Sequence, residues 1–302
     1  NGATEYHENF KKWLKRFQEE DLVGCCAQTD VKGHRMRRPS EQEDPDLYLR
    51  VVERKKDGVV VRGCKVHNSE ASVADEILVV PTRALKPEEK DWAIAFALPA
   101  DWEGIKQVVS VHNLRKREHF PRGFTPGATD SYTIFDNVFI PWDRVFLCGE
   151  TIHGGACALL FALFHRHSYS GCKPAIGDLL LGTAALIAEY NGIDKASHVR
   201  AKLAEFIMVT ELGYAAGFTA SELGGKELYV PTMGKMPYGP GSYIPDSIYA
   251  NVGRCLTGEA VFHESEMLCD LAGGMPATFP YEGDFVNPET KDLLNKYIMR
   301  NP

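Results

Sequence analysis

A chain of 302 residues, 44% hydrophobic and 25% charged, can bury a full core and divide into two domains. A formal net charge of −7 argues against a general nucleic-acid binder, and the longest fully apolar run falls well short of the ~20 residues that cross a bilayer. The eight cysteines, at 25, 26, 64, 148, 157, 172, 255 and 269, form no CxxC, zinc-ribbon or disulfide framework, so they read as reduced thiols of a cytoplasmic protein.

Residues Tyr6 to Asp21 place Phe10, Trp13, Leu14 and Phe17 at helical spacing, which predicts a short amphipathic helix. Leu22 to Ala27 reads as a strand leading into the turn-rich Gln28-Thr29-Asp30-Val31-Lys32-Gly33-His34-Arg35. That loop is either ordinary turn chemistry or a surface whose backbone and Thr hydroxyl face a planar cofactor. The basic run His34 to Arg38 is a solvated patch or a phosphate contact. From Leu47 to Val138 the pattern is β: strands at 46–54 and 59–66 joined by Lys56-Asp57-Gly58, then 76–80, 92–98, 105–111 and 132–140. Six or so strands without long intervening helices predict an antiparallel barrel or sandwich. After Pro141-Trp142-Asp143-Arg144 the period turns helical, setting a boundary near residue 145. Helices are expected over Ala175–Tyr190, Lys195–Leu223 and Ser247–Leu271, with the Gly- and Pro-rich 224–245 as a loop or lid.

The densest chemistry lies in Phe164-His165-Arg166-His167-Ser168-Tyr169-Ser170-Gly171-Cys172-Lys173, between two apolar runs, which predicts burial in a helical layer. His165, Tyr169 and Cys172 stand at i, i+4 and i+7, one face of a helix. Imidazole and thiol would be roughly 10 Å apart along the axis, at about 1.5 Å per residue, too far for one zinc ion. They could grip two corners of an iron–sulfur cluster. The plainer alternative is a hydrogen-bonded core histidine and a buried free thiol. Pro174 is expected to kink or break the helix that carries Cys172.

Individual motifs carry a family resemblance: AQTDVKGHR (27–35), DPDLYLRVVERKKDGVVVRGCKVH (44–67), IFDNVFIPWDRVFLC (134–148), HRHSYSGCK (165–173) and AALIAEYNGIDKASHV (184–199). The chain resembles the 4-hydroxyphenylacetate 3-hydroxylase flavoproteins, and HRHSYSGCK resembles the branch of that family that dehydrates CoA thioesters. The resemblance implies an α+β, acyl-CoA dehydrogenase-like fold. Residues 1–21 would end an N-terminal helical region, 22–145 would form a flavin-binding β-domain, and 146–302 an incomplete helical domain. His165 and Cys172 match two of four protein ligands of a [4Fe–4S] cluster. Tyr169 and Lys173 match active-site residues of the same motif. The flavin, FAD, would be contacted by Gln28, Thr29, Asp30, Gly33, His34 and Arg35. A second flavin segment is His67-Asn68-Ser69, whose last position is Thr in a related dehydratase. Tyr190 and Asn191 match a segment that reaches FAD across a subunit interface, implying a homo-oligomer, a tetramer in this family.

Three departures accompany the resemblance. A Cys-x3-Cys pair that completes the cluster is expected upstream of this chain, and a second catalytic Glu beyond its end, so the chain is expected to be an interior piece, inactive alone. A catalytic Glu before the IFDNVF strand is Asp130 here. The implied reaction is an oxygen-sensitive, radical dehydration of 4-hydroxybutyryl-CoA to crotonyl-CoA, with vinylacetyl-CoA isomerisation alongside. Flavin would oxidise the C2 enolate by one electron, acidifying C3, and return the electron after hydroxide leaves from C4. His165 would bind iron and act as the C2 base; Tyr169 would donate near the leaving group. Lys173 would stabilise negative charge, Asp130 would be a second base, and Ser69 would bond flavin or the thioester region. Two other readings stand beside this one: an aromatic monooxygenase that needs no cluster, and an inactive flavoprotein or assembly subunit. None involves a membrane or nucleic acid.

Overall fold

The computed structural model describes residues 5–110, 130–230, 234–237 and 243–298. Helix α1 (Glu5–Glu19) is followed by strands β1 (Gly24–Ala27), β2 (Arg50–Arg54), β3 (Gly58–Ser69), β4 (Glu76–Val79), β5 (Ile94–Pro99), β6 (Ile105–Val109), β7 (Asp130–Pro141) and β8 (Val145–Cys148). Helices α2 (Thr151–Tyr190) and α3 (Ser197–Glu222) come next, then short strands β9 (Glu227–Val230) and β10 (Gly234–Pro237). Helices α4 (Ser247–Ala272), α5 (Met275–Thr278) and α6 (Lys291–Tyr297) complete the order. The described residues fall into two compact units, one reaching Leu160 and the other starting at Phe161. That division lies inside α2, past the boundary expected near residue 145.

The first unit holds two four-stranded sheets, ordered β1-β4-β5-β8 and β2-β3-β7-β6. Alternating apolar residues from both line one core: Ile77, Val79, Ile94, Phe96 and Leu98 from the first, Val51, Val59, Val61, Phe135 and Ile140 from the second. Phe96 meets Phe135 edge to face at 5.7 Å between ring centroids, a favoured aromatic geometry. This is the sandwich form of the expectation, and the sheets do not close into a barrel. One further correction concerns direction. β1 runs parallel to β4 while the other pairs are antiparallel. The crossover from β1 to β4 passes through β2 and β3 of the other sheet, so a parallel pair forms without the usual helix.

Helix α1 is pinned to this unit by its apolar stripe. Trp13 lies 5.5 Å from the Phe146 ring, and Asn9 Nδ2 donates to the Trp142 and Val145 carbonyls at 2.8 and 3.3 Å. The buried Glu76 carboxylate accepts from Trp13 Nε1 at 3.3 Å, pairs with Arg144 at 3.0 Å, and also pairs with Arg16. Burying a carboxylate is costly unless partners of this kind accompany it.

In the second unit α2, α3 and α4 share a core of Ala184, Ala188, Val199, Phe206, Met267 and Leu271. Ser170 of α2 packs against both α3 and α4. A Cβ on Gly217 would fall 2.7 Å from Ser170 Cβ, and one on Gly253 2.4 Å from Ser170 Oγ. Only glycines permit that approach.

Helix α2 corrects two expectations. It is continuous through Pro174, where a break was expected. Proline removes the bond to the Ser170 carbonyl, but its ring is buried at the α3 contact, 3.5 Å from where a Gly213 Cβ would stand. Tertiary packing therefore holds the helix straight enough to continue. Second, α2 is the one helix among the described residues long and apolar enough to cross a membrane, despite the short apolar runs of the sequence. Its middle carries His165, Arg166, His167 and Lys173, and its buried residues pack on α3 and α4. Within the expected 224–245 loop, β9 and β10 form an antiparallel hairpin; residues 231–233 and 238–242 lie outside the described set.

Candidate functional site

The His67-Asn68-Ser69 segment owes its shape to a β-bulge. Lys65 pairs with Thr133 and Asn68 with Ser131, so Val66 and His67 together oppose Tyr132 alone. His67 takes a left-handed φ of 59° and Glu70 one of 64°. A bulge re-aims the side chains beyond it. His67 is thrown outward, 6.1 Å from the Tyr132 ring, while Asn68 turns in and donates to Lys65 O at 3.1 Å and Thr133 Oγ1 at 2.8 Å. The bulge also aligns Ser69 with Asp130, and Ser69 Oγ donates to Asp130 Oδ1 at 2.6 Å. Two residues expected in one site, 61 positions apart, are thus in direct contact.

The loop after β1 is held from inside. Gln28 and Thr29 are half-buried, whereas Gly33, His34 and Arg35 are exposed. Asp30, expected to face flavin, points its side chain inward: it is 4% exposed, pairs with Lys65 Nζ at 2.9 Å and accepts from Leu49 N at 3.0 Å. Burial pushes its carboxyl upward from the ordinary range, against the pull of Lys65. Further along, Gly33 has φ +53° and leaves no room for a Cβ, which would lie 2.5 Å from Leu47 Cδ1. The buried Gln42 accepts from His34 N and donates to His34 O, both at 3.0 Å.

In the second unit the HRHSYSGCK residues divide by role. Arg166 donates to Asn251 Oδ1 at 2.8 Å, and His167 Nε2 meets Ser221 Oγ at 2.9 Å, tying α2 to α4 and α3. His165 is not among these ties; it stacks on Phe161 at 5.9 Å and is exposed. Cys172 is also exposed. The expected burial of this stretch is therefore corrected: of its ten residues only Ser170 is buried. Seven helical steps rotate about 20° short of whole turns, so His165 and Cys172 share a face, with Tyr169 between them. Lys173 Nζ lies 5.3 Å from the Tyr169 ring centroid, and Arg254 of α4 covers the same ring at 4.2 Å. A tyrosine flanked by two cations has its ring plane fixed and negative charge near it favoured. Arg254 and Lys65 escaped sequence reasoning because each acts on a residue far along the chain. Tyr190 and Asn191 are exposed at the end of α2.

Among the described residues no group of three or more His, Cys, Asp and Glu could hold a metal ion. The donor chemistry of His165 and Cys172 fits half a cluster ligand set, imidazole plus thiol. The other thiols differ in kind. Burial pushes Cys25 and Cys64 up to about 11 and Cys26 to about 12, and raises Cys148 and Cys157. A raised value means that the thiol stays protonated, hence unreactive, at pH 8. Brief alkylation with iodoacetamide at pH 8 should therefore label Cys172, Cys255 and Cys269, the three exposed cysteines, before any other. Peptide mapping showing Cys25 or Cys26 labelled first would contradict the structure.

Family models described as the N-terminal and C-terminal parts of 4-hydroxyphenylacetate 3-hydroxylase match residues 1–147 and 155–302. The chain belongs to the 4-hydroxyphenylacetate 3-hydroxylase family. Among relatives in that family, the 4-hydroxybutyryl-CoA dehydratase/vinylacetyl-CoA-Delta-isomerase of Clostridium aminobutyricum is 39% identical over 99% of this chain and 62% of its own. The solved structure of an oxygen-tolerant archaeal 4-hydroxybutyryl-CoA dehydratase from N. maritimus matches with TM-score 0.87 and 36% identity, over 98% of this chain and 58% of that one. The oxygenase component of a 4-hydroxyphenylacetate 3-monooxygenase, solved with FAD, matches at 0.80 and 29%, over 97% and 60%. The chain thus spans less than two thirds of the length of these relatives. Butyryl-CoA dehydrogenase from Megasphaera elsdenii, at TM-score 0.59 and 17% identity over 99% of this chain and 70% of its own, shares the fold alone. The expected acyl-CoA dehydrogenase-like fold is borne out to that extent.

Proposed function

We propose that this chain is part of an FAD- and [4Fe–4S]-dependent hydro-lyase that dehydrates 4-hydroxybutyryl-CoA to crotonyl-CoA and also isomerises vinylacetyl-CoA. The observation that carries the reading is the shared face of α2 bearing exposed His165 and Cys172 and half-buried Tyr169, in a chain 39% identical to a protein of that name. Two ligands come from this chain; the other two would come from a Cys-x3-Cys pair elsewhere in the full-length protein. The fully formed groups would supply a Lewis-acidic iron and a reversible one-electron acceptor. This chain's residues do the rest. His165 would be a ligand to iron and, with its imidazole free, would take the C2 proton. Tyr169, its ring fixed by Lys173 and Arg254, donates a hydrogen bond to the leaving hydroxyl. Asp130, oriented by Ser69, is the second base. The exposed loop 33–35, half-buried Gln28 and Thr29, and the bulged 67–69 segment contact flavin. Tyr190 and Asn191 reach the flavin of a neighbouring subunit in a cytoplasmic homotetramer that engages neither membrane nor nucleic acid.

FAD-bound structures of the monooxygenase relative support the flavin assignment. Full-length protein carrying Thr29→Val with Ser69→Ala should lose FAD during gel filtration, while wild type keeps it. Full flavin occupancy in that variant would mean that these loops are wrongly assigned. The function itself is tested by anaerobic purification, iron, sulfide and flavin analysis, and turnover of 4-hydroxybutyryl-CoA. Flavin without iron, together with hydroxylation of 4-hydroxyphenylacetate when reduced flavin is supplied, would replace the dehydratase with the monooxygenase reading.

A further inference from the structure

Among the described residues Lys65 is the largest fully buried side chain, 2% exposed, on β3 just before the bulge. An ammonium has three N–H donors and no other way to satisfy them in a dry site. Each has a partner: the Gln28 carbonyl at 2.8 Å, the Val80 carbonyl at 3.0 Å and the Asp30 carboxylate at 2.9 Å. Gln28 and Asp30 bracket Thr29, whose own carbonyl accepts from Val66 N at 2.8 Å. The other Asp30 contact is Leu49 N at 3.0 Å. A single cation therefore fastens the base of one candidate flavin loop, Gln28–Asp30, to the strand that bulges into the other, His67–Ser69.

We propose that Lys65 is a positioning residue for flavin: its contacts with Gln28, Asp30 and Val80 hold both candidate flavin segments in their binding shape before the cofactor arrives. The inference rests on the assignment of those segments to flavin. A buried Lys–Asp pair alone is poor evidence of stabilisation, since apolar replacements often do as well. What an apolar pair cannot do is bind two backbone carbonyls and fix the loop between them. Preorganisation of this kind lowers the cost of binding, and misplacement by about 1 Å can cost on the order of a hundredfold.

The test uses full-length protein, with FAD affinity and thermal unfolding of flavin-stripped protein measured side by side. Lys65→Met should lower Tm, because Asp30 is left buried and unpaired, and should weaken FAD binding by about tenfold or more. Lys65→Met with Asp30→Asn removes the stranded charge and should recover part of the Tm, yet FAD affinity should stay low because Gln28 and Val80 still lack their donor. Recovery of both together would reduce Lys65 to a structural ion pair and overturn the proposal. So would unchanged FAD affinity in Lys65→Met while Thr29→Val with Ser69→Ala weakens it. If that control also leaves affinity unchanged, the flavin assignment itself fails. Hydrogen exchange on wild type gives a reading independent of variant folding. Amides of Lys32, His34, Leu49 and Val66, all bonded in the loop network, should be protected in the flavin-stripped protein. Protection that arises only when FAD is added would contradict a preformed loop.

Discussion

Cys172→Ser in full-length protein made anaerobically should lose iron and dehydration together, each by on the order of a hundredfold or more. The effect is expected to be this large because no other thiol can substitute. Five of the remaining cysteines are held protonated by burial, and Cys255 and Cys269 lie on α4 rather than on the α2 face shared with His165. Serine preserves size and polarity but is a poor ligand for iron beside sulfide. His165→Ala should behave differently, keeping part of the iron but losing turnover, since a site that opens at histidine needs that residue for chemistry more than for retention. Circular dichroism should stay native in both variants, because His165 and Cys172 are exposed and the ties from α2 to its neighbours run through Arg166 and His167. Iron and full turnover retained in Cys172→Ser would remove the dehydratase reading.

The same helix shows where sequence reasoning reached and where it stopped. Period and residue type located α3, α4 and most of the strands of the first unit to within a few residues, because burial on one face is a local pattern. They gave only the C-terminal part of α2, which starts at Thr151 rather than near Ala175. Spacing alone put His165, Tyr169 and Cys172 on one side. The exposure of His165 and Cys172 was not legible: apolar flanks suggested burial, but only the residues facing α3 and α4 are covered, and Ile176, Leu179 and Leu186 of the same helix are also exposed. Pro174 was misleading for a related reason, since its local penalty is offset by a contact with α3 that sequence does not display. In the first unit the parallel β1–β4 pair and the bulge at Val66-His67 depend on partners far along the chain. Asp30 read as a flavin contact and Lys65 as an ordinary strand residue, and they become a buried pair only when the loop after β1 meets β3.

Asp130 is the other residue whose removal should cost most. Asp130→Asn is expected to lower dehydration of 4-hydroxybutyryl-CoA by roughly 10²- to 10⁴-fold, the usual range for a general base, with iron and flavin content unchanged. Asparagine keeps the shape and can still accept from Ser69 Oγ, now 2.6 Å from Asp130 Oδ1, so the loss isolates proton transfer from geometry. Ser69→Ala should cost less, since it frees the carboxylate to rotate without removing the base. Asp130→Glu is the informative counterpart. The family resemblance leads to an expectation of Glu here, so lengthening the arm by one methylene should keep or raise turnover if the register between Ser69 and Asp130 places the base correctly. A base acting alone would leave the two single variants additive. A pair acting as one unit would make Asp130→Asn with Ser69→Ala no slower than Asp130→Asn, because the hydroxyl has no further role once the base is gone. Full activity in Asp130→Asn would exclude it as the base.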